Sequence, residues 1–195
     1  MNKKRIVSVA LAVCLLAIAA VGSLAYFTDK TETKENTFTV GNVKIELTEP
    51  GWDESGKNDA VNAYPGQALK KDPTVKNVGA NPCFVRVKVT GLDCLGEQGM
   101  ITYETGNTTG ALGENWVKDG DYFYYTKVLE PNASTVALFE QIRIPVTVVN
   151  GVADTEYSVE VFAEAVQAQG ARADWADVQA MTAQELIDWF ATCGL

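Results

Sequence analysis

The sequence predicts an all-β protein, an antiparallel jelly-roll-like β-sandwich with a short helical segment at its C-terminus. Three observations lead to this fold class. Alternating apolar and polar residues recur in short runs, turn dipeptides containing Gly, Pro or Asn separate the runs, and no helical period lies between them. About seven or eight strands at such spacing are typical of antiparallel sheets that pack on each other.

Side-chain alternation identifies three of the strands. In residues 43–47, 84–90 and 156–168, aliphatic or aromatic side chains alternate with polar or charged ones. One face of each strand should therefore be buried and the other hydrated. This pattern places Arg86 and Lys88 on a hydrated face.

A hairpin and a broken strand are predicted in the second half of the chain. Residues 115–125 contain two strand-like runs around Asp119-Gly120, a dipeptide suited to a tight turn. Residues 135–149 are rich in β-forming residues but contain Pro145, which predicts an edge strand or a bend there. Long loops are predicted at residues 52–62 and 96–115.

The C-terminal residues carry the start signal of a helix. Thr182 and Glu185 have the spacing of a capping box, and Met181 and Leu186 have that of a hydrophobic staple. Helices are expected over residues 173–180 and 183–191. The side chains of the second helix that should face inward are Leu186, Ile187, Trp189 and Phe190.

The N-terminus has the three parts of a secretory signal peptide. A basic start is followed by an apolar run, Ile6–Val21, and by a small-x-small site, Ser23-Leu24-Ala25. We expect cleavage after Ala25, which makes Tyr26 the first mature residue. The alternatives are an uncleaved membrane anchor, for which the apolar run is short of the roughly 20 residues needed, and a lipoprotein at Cys14, which lies in the middle of the run.

These signals divide the chain into four segments. Cleavage leaves 170 of the 195 residues, enough for one domain with a sizeable core. The predicted segments are a signal peptide (1–25), an N-terminal arm that is a candidate donor strand (26–41), a β-sandwich (42–170) and a helical segment of the same domain (171–195).

The charge of the chain limits its partners. Removing the three basic residues of the leader lowers the formal net charge from −9 to −12. A surface this acidic repels phosphate backbones and anionic lipid, which argues against nucleic acid and against binding to anionic membranes. Since the sequence shows no C-terminal apolar span, we also expect no stable membrane anchor after cleavage. A high net charge also keeps a protein soluble outside the cell.

The sequence offers little catalytic chemistry. It contains no histidine, which excludes a Ser-His-Asp triad and an H-E-x-x-H zinc helix. Asp119 and Asp121 flank a turn glycine, so turn chemistry explains them. We therefore expect no enzyme, no catalytic residue, no cofactor and no metal site, with a peptidase or glycosidase built from spatially assembled carboxylates as the remaining enzymatic alternative.

The aromatic residues suggest a binding alternative. Alternate members of residues 122–125 should face opposite sides of a strand, so half of them should be exposed. Trp116, Tyr122 and Tyr124 are the candidates for an exposed aromatic patch. Such a patch would bind carbohydrate or a neighbouring subunit, and an extracellular carbohydrate-binding module is therefore the alternative function.

Three cysteines, Cys83, Cys94 and Cys193, remain after cleavage, so at most one disulfide forms among them. Cys83 and Cys94 flank a predicted strand and would lie roughly 35 Å apart if it ran straight. They pair only if the chain folds back near Gly91. Otherwise Cys193 pairs with one of them.

The order of several motifs resembles the TasA/camelysin family of secreted proteins with a SipW-type signal peptide. The similarity is strong over residues 20–90 and looser through 166–168. The residues that carry it are Ala25-Tyr26-Phe27, Asn36-Thr37-Phe38 with Gly41, the strand around Ile45, Pro65-Gly66-Gln67, Lys71-Asp72-Pro73, Val75-x-Asn77 and the strand that begins at Cys83.

The resemblance implies a structural protein of the cell surface or biofilm matrix of a Gram-positive bacterium. Members of this family are released by a SipW-type signal peptidase and self-associate into extracellular fibres. In such fibres the N-terminal segment of one subunit adds as a strand to the sheet of the next. Camelysin-like members are classed as metallopeptidases, but the absence of histidine gives that assignment no support here.

The arm itself has properties that suit strand donation. Residues 26–40 contain five threonines and neither proline nor glycine, so they can be extended and hydrogen-bonded. A shift in side-chain parity at Gly41-Asn42 predicts a bulge or hinge. The alternative is a disordered polar tail. The apolar side chains that would anchor the arm are Tyr26, Phe27, Phe38 and Val40.

Overall fold

A computed structural model describes residues 41–148 and 156–194 of the 195-residue chain. The strands in these residues are β1 (Ile45–Thr48), β2 (Ala68–Lys70), β3 (Thr74–Asn77), β4 (Cys83–Thr90), β5 (Thr102–Thr105), β6 (Thr108–Thr109), β7 (Trp116–Asp119), β8 (Tyr122–Tyr125), β9 (Gln141–Arg143) and β10 (Glu160–Gln167). The helical segments are a π-helical turn (Trp52–Gly56) that leads into α1 (Lys57–Asp59), a 3₁₀ turn (Gly96–Gln98), α2 (Trp175–Gln179) and α3 (Ala183–Thr192).

All strand pairings are antiparallel, and they form two four-stranded sheets and one strand pair. The order β10-β4-β8-β7 defines what we call the β4 sheet, and the order β2-β9-β5-β6 defines the β5 sheet. Strands β1 and β3 pair with each other, with Ile45 opposite Asn77. This architecture, together with the C-terminal helix, confirms the predicted all-β fold class.

The main core lies between the β4 and β5 sheets. Val85 and Val87 on β4 face it, as their alternation predicts. The Tyr103 ring meets the Phe123 ring edge-on at 5.6 Å and stacks on the Phe139 ring at 5.5 Å, so side chains from both sheets interlock. Burial of each large apolar side chain stabilises the sandwich by about 1.5–3 kcal/mol.

A second core lies on the outer face of the β4 sheet, beneath the C-terminal helices. Phe84 and Tyr124 contribute from the sheet, and Val178, Leu186 and Phe190 contribute from α2 and α3. The Phe190 ring packs edge-on against the Tyr124 ring at 5.5 Å. The two predicted C-terminal helices are therefore present, and they cover one face of one sheet.

The start of α3 confirms the predicted capping box. The Thr182 hydroxyl accepts a hydrogen bond from the Glu185 backbone N–H at 3.3 Å, and the Glu185 carboxylate accepts one from the Thr182 N–H at 2.9 Å. The bond from the Thr182 N–H, an ion pair with Arg172 and a bond from the Thr182 hydroxyl to the carboxylate lower the pKa of Glu185 to about 2. Met181 and Leu186, the two members of the predicted staple, are both buried.

The predicted hydrated position of Arg86 is wrong, because the helical segment covers it. Arg86 is 5 % exposed. Its Nε donates to Glu164 at 2.7 Å across the β4–β10 pair, and its guanidinium lies 3.8 Å from the centre of the Tyr122 ring and 5.1 Å from that of Phe190. A charged side chain in an alternating strand is here part of a core.

The outer face of the β5 sheet carries a second ion pair between neighbouring strands. Glu104 on β5 is 2 % exposed and accepts hydrogen bonds from Arg143 at 2.7 and 2.8 Å. Gln141 and Thr109 donate to the same carboxylate at 2.7 and 3.1 Å. Led by the bonds from Arg143, these contacts lower the pKa of Glu104 to about 2.

Two tight turns show how the hairpins close. The predicted hairpin at residues 115–125 is confirmed as β7 and β8, with Gly120 at a φ of +55°. The prediction of a long loop at 96–115 is wrong, because β5 and β6 form a short hairpin there. Its turn residues, Gly106 and Asn107, have φ values of +57° and +60°, which Gly and Asn adopt at little cost.

The other predicted loop and the predicted long strand also differ from the structure. Residues 52–59 are helical rather than a loop. Of the described residues 135–148, only those of β9 form a strand, and it lies inside the β5 sheet rather than at its edge. The chain turns just after Pro145, so the bend predicted there is confirmed. Leu138 and Phe139 lie in the main core without belonging to a strand.

Candidate functional site: an open groove between two strand edges

The candidate site is the gap between the edges of β1 and β10. Within the described residues β1 pairs only with β3 and β10 only with β4, so each strand has one edge without a strand partner. The two strands lie beside each other. The free edge of a strand presents backbone N–H and C=O groups that another strand can pair with.

A groove of about 660 Å³ opens between these two edges, and we call it the edge groove. The residues that line it come from the end of β1, from the helical turn after β1 and from the start of β10. They are Leu47, Thr48, Glu49, Trp52, Asp53, Lys71 and Ser158 to Phe162.

A larger apolar cleft of about 1040 Å³ lies next to the edge groove. Trp52, Lys71, Ser158 and Val159 line both spaces, so the two are adjacent. The floor of the apolar cleft is made by main-core residues, among them Leu69, Leu95, Ile101, Ile142 and Ile144. The interior of the sandwich is therefore accessible from the side on which β1 and β10 present their edges.

The helical turn after β1 positions Trp52 in both spaces. The Asp72 carboxylate accepts hydrogen bonds from the backbone N–H groups of Gly51 at 2.7 Å and Trp52 at 3.3 Å, which holds the start of the turn. Gly56 packs so closely on β2 that a Cβ there would lie 2.2 Å from the Lys70 carbonyl oxygen. Only glycine fits that contact, so the end of the turn is held as well.

One ion pair lies at the inner side of the edge groove. Lys71 is 5 % exposed, and its ammonium donates to Glu49 Oε2 at 3.0 Å and lies 5.0 Å from the centre of the Trp52 ring. The other carboxylate oxygen, Glu49 Oε1, is buried and accepts no hydrogen bond from the described residues. Such an atom normally has a partner, because leaving it without one costs about 1–3 kcal/mol.

The β10 edge is supported from both faces. On one face Ala163 and Ala165 pack against the main core. On the other face Val166 belongs to the second core, and Glu164 bonds to the buried Arg86. Packing on both sides holds β10 in place at the border of the groove, and a strand that docked there would meet an ordered edge.

Most of the predicted arm and cleavage residues lie outside the described part of the chain. These are Ala25, Tyr26, Phe27, Phe38 and Val40. Gly41 is described, and a Cβ on it would lie 2.2 Å from the side-chain oxygen of Asn81.

The contacts of Asn81 show where the first described residues of the chain lie. Its backbone N–H donates to the Asn42 carbonyl at 3.1 Å, and its side chain bonds to Gln167 at 3.2 Å. The described chain therefore begins near the C-terminal end of β10.

The predicted exposed aromatic patch is wrong. Trp116 is 5 % exposed and Tyr124 is 4 % exposed, while Tyr122 is half-buried beside Arg86. The Trp116 indole N–H donates to the Val136 carbonyl at 3.0 Å, and α3 covers Tyr124. Both faces of β8 are covered, so neither set of its alternating aromatic side chains forms an exposed patch. The observation that suggested carbohydrate binding therefore does not hold.

The three described cysteines are free thiols, so the candidate disulfide among Cys83, Cys94 and Cys193 does not form. Cys83 is buried and its pKa is raised to about 12 by burial. Burial also raises the pKa of the half-buried Cys94, whereas Cys193 is exposed at the end of α3. Strand β4 runs straight from Cys83 to Thr90, which keeps Cys83 away from Cys94.

Comparisons with protein-family models, with curated proteins and with solved structures found no match to this chain. In residues 41–148 and 156–194, no group of three Cys, Asp or Glu side chains is close enough to hold a metal ion. The helices in those ranges are all too short or too polar to cross a bilayer.

Proposed function

We propose that this chain is a secreted structural protein that assembles head-to-tail into fibres by strand donation. The donor is the arm of the mature protein, residues 26–41, and the acceptor is the edge groove of the next copy. The observation that carries the proposal is the pair of free edges, β1 and β10, with a groove at these edges and an adjacent cleft lined by main-core residues.

A strand in the edge groove would extend a sheet. It would pair with the free edge of β10, giving the order arm-β10-β4-β8-β7, because Cα atoms of β1 and β10 lie within 8 Å of each other, too close for a strand paired to both. Backbone hydrogen bonds to this edge would supply affinity, and pockets for alternate side chains would supply specificity. The apolar cleft offers space for aromatic or aliphatic side chains of the arm.

The arm has the length and composition for this role. Its 15 residues from Tyr26 to Val40 span up to about 50 Å when extended. The stretch that leads into β10 and lines the groove, residues 158–162, spans only roughly 17 Å. An arm that leaves the domain beside Asn81 is therefore long enough to reach the groove of a neighbouring copy.

The resemblance to the TasA/camelysin family supports the same proposal. It supplies a SipW-type signal peptidase as the enzyme that frees Tyr26, and the biofilm matrix or cell surface of a Gram-positive bacterium as the location. Release of a new N-terminus by cleavage would also explain why assembly waits until the chain has been secreted.

A mixing experiment tests both halves of the proposed contact. One chain starts at Gly41 and lacks the donor. The other starts at Tyr26 and carries Ser158→Arg, a substitution at an exposed position that lines the edge groove and the apolar cleft. We expect each chain alone to stay monomeric and the mixture to form one-to-one heterodimers in sedimentation, while the unchanged mature chain forms fibres in electron microscopy.

The matched control is Ser134→Arg in the mature chain, at an exposed serine that does not line the groove. It should polymerise as the unchanged chain does. Equal polymerisation with and without residues 26–40 would remove the arm from the mechanism. A mature chain that stays monomeric under all conditions would refute the proposed function.

A further inference from the structure

We propose that two lysines of the arm, Lys30 and Lys34, set its register on the neighbouring copy by pairing with two acids of β10, Glu164 and Glu160. This inference rests on the proposed strand donation, and it names the side chains that recognise the donor. It starts from the outward face of β10, on which Glu160 is exposed, Phe162 is 42 % exposed and the side chain of Glu164 is 29 % exposed.

The backbone of β10 offers its odd-numbered residues to a new strand. Gln167 lies opposite Cys83 in the β4–β10 register. The next residue, Ala168, donates its N–H to the Pro82 carbonyl at 3.0 Å. In an antiparallel ladder this makes the even-numbered residues of β10 the ones that exchange hydrogen bonds with β4. The backbone groups that point to the free edge, and to which no described residue bonds, are therefore those of residues 161, 163 and 165.

The direction of the arm follows from the two ends of β10. The groove lies at the start of the strand, at residues 158–162, whereas Gly41 of the same copy lies near its other end through the contacts of Asn81. An arm antiparallel to β10 places the donor domain at the start of the strand and leaves the other end clear for the acceptor's own arm. A parallel arm would bring the donor domain to the end from which that arm leaves. Head-to-tail growth therefore favours the antiparallel direction.

The spacing of charges selects one antiparallel register. Lys30 and Lys34 share one side of an extended arm and are four residues apart, as Glu160 and Glu164 are on β10. Only one antiparallel register places both lysines opposite these two acids, with Lys34 at Glu160. A shift of two residues in either direction places Glu32 opposite one of the acids, and like charges directly opposite each other are destabilising. A shift of one residue turns both lysines to the other face.

The positions of the two acids bring opposite charges close together. Because the odd-numbered residues of β10 would bond to the arm, the acids occupy non-hydrogen-bonded pairs, in which the facing Cα atoms are about 4.5 Å apart. Glu164 is already oriented by Arg86, whose Nε donates to it at 2.7 Å. On the other side of the arm, Thr31 and Thr33 have short side chains that suit the inner face of the sheet, where β1 lies close to β10.

The test is a charge swap in the mature chain. It measures the critical concentration for polymerisation, which equals the dissociation constant for subunit addition. Glu160→Lys places a second ammonium opposite Lys34, and we expect it to raise the critical concentration about 3- to 30-fold. Lys34→Glu should raise it as much, because two carboxylates then face each other. The chain that carries both substitutions should polymerise within about twofold of the unchanged chain.

Two controls separate this pairing from a general effect of charge. Glu114→Lys makes the same change of charge at an exposed position just before β7, at the opposite edge of the β4 sheet, and should change the critical concentration by less than about twofold. High salt should reduce the penalty of Glu160→Lys, because the Debye length falls from about 8 Å at 0.15 M to about 3 Å at 1 M. Thermal unfolding should show that each variant is folded.

The outcomes distinguish the register from strand donation itself. If Lys30→Glu rescues Glu160→Lys and Lys34→Glu does not, the arm runs in the other direction and the inference is wrong. If neither rescues it, or if Glu160→Lys has no effect, the pairing is wrong while strand donation stands. If the chain that starts at Gly41 polymerises normally, strand donation itself is wrong.

Discussion

The two four-stranded sheets carry the same chemical pair on their outer faces, in opposite surroundings. In the β4 sheet Arg86 bonds to Glu164 at 2.7 Å, and in the β5 sheet Arg143 bonds to Glu104 at 2.7 Å. The Arg86 side chain is 6 % exposed beneath α3, whereas the Arg143 side chain is 37 % exposed. In the β5 sheet it is the acid that is buried.

The comparison shows that an ion pair between neighbouring strands does not tell which face of a sheet is covered. Under α3 the guanidinium of Arg86 lies flat against Tyr122, so the pair is part of an aromatic core. On the β5 sheet the carboxylate of Glu104 is held by Arg143, Gln141 and Thr109, so a polar network shields the acid. We expect aromatic packing to contribute most to the stability of the β4 sheet, and hydrogen bonding to contribute most to the stability of the β5 sheet.

The largest expected effect on stability comes from removing the Phe190 ring, through which α3 covers the β4 sheet. Phe190 is fully buried and touches both Tyr124 and Arg86, so Phe190→Ala should lower the free energy of unfolding by about 3–5 kcal/mol. Chemical denaturation measures the change. Hydrogen exchange should also increase in β4 and β8 more than in β5 and β9.

The matched control for that experiment is Phe162→Ala. Phe162 lies on β10 and is 42 % exposed, so its loss should cost less than about 1 kcal/mol. If the two substitutions lower the free energy of unfolding by the same amount, packing of α3 does not stabilise the β4 sheet.

The second effect concerns the β5 sheet and depends on pH. Glu104→Gln should lower the free energy of unfolding by about 1.5–3 kcal/mol at neutral pH, because it removes hydrogen bonds to a charged group. The pKa of Glu104 is about 2 in the folded protein against an ordinary 4.5, so this stabilisation is complete above about pH 5 and is lost as the pH falls towards 2. The unfolding curves of the two proteins should therefore converge in acid.

Glu46→Gln serves as the control for the pH experiment, since Glu46 is exposed on β1. Its stability curve should run parallel to that of the unchanged protein over the same pH range. A constant difference between Glu104→Gln and the unchanged protein down to pH 2 would contradict the assignment of the acid-sensitive stability to Glu104.

The smallest effect is at the start of α3. Thr182→Ala removes the hydroxyl that accepts the Glu185 N–H, and it should cost about 1 kcal/mol. Thr192→Ala, at an exposed threonine near the other end of the same helix, should cost less than about 0.5 kcal/mol. Thermal unfolding of the two variants compares them, and equal midpoints would show that the capping box contributes nothing.

Local sequence signals were sufficient to predict many of the strands and helices. Alternation located β1, β4 and β10, the Asp-Gly turn located the β7–β8 hairpin, and the Thr182–Glu185 spacing located α3. Each of these signals lies within a few residues of the element that it specifies. The prediction of an antiparallel all-β fold followed from their sum.

The failures share a different cause, since they depend on contacts distant in sequence. Arg86 and Tyr124 are buried because Phe190 on α3, 104 and 66 residues later in the sequence, covers them. The turn at Trp52 is helical because Asp72, from another segment, accepts its N–H groups. Gly106-Asn107 was the exception, a local hairpin signal that the sequence contained and the loop prediction overlooked.

The candidate groove was not predictable from any motif. It is formed where the end of β1 and the start of β10 come together, and the residues that these two regions contribute, 47–53 and 158–162, lie more than 100 residues apart in the sequence. The sequence indicated only the other partner of the proposed contact, the arm.

The graded burial of the three thiols has a practical consequence for microscopy. Cys83 is buried with its pKa raised to about 12, Cys94 is half-buried, and Cys193 stands on the surface near the end of the chain. A maleimide dye or a gold particle applied briefly at neutral pH would attach to Cys193 first. Every subunit would then carry a single marker, and the repeat distance between markers would give the spacing of subunits along any filament.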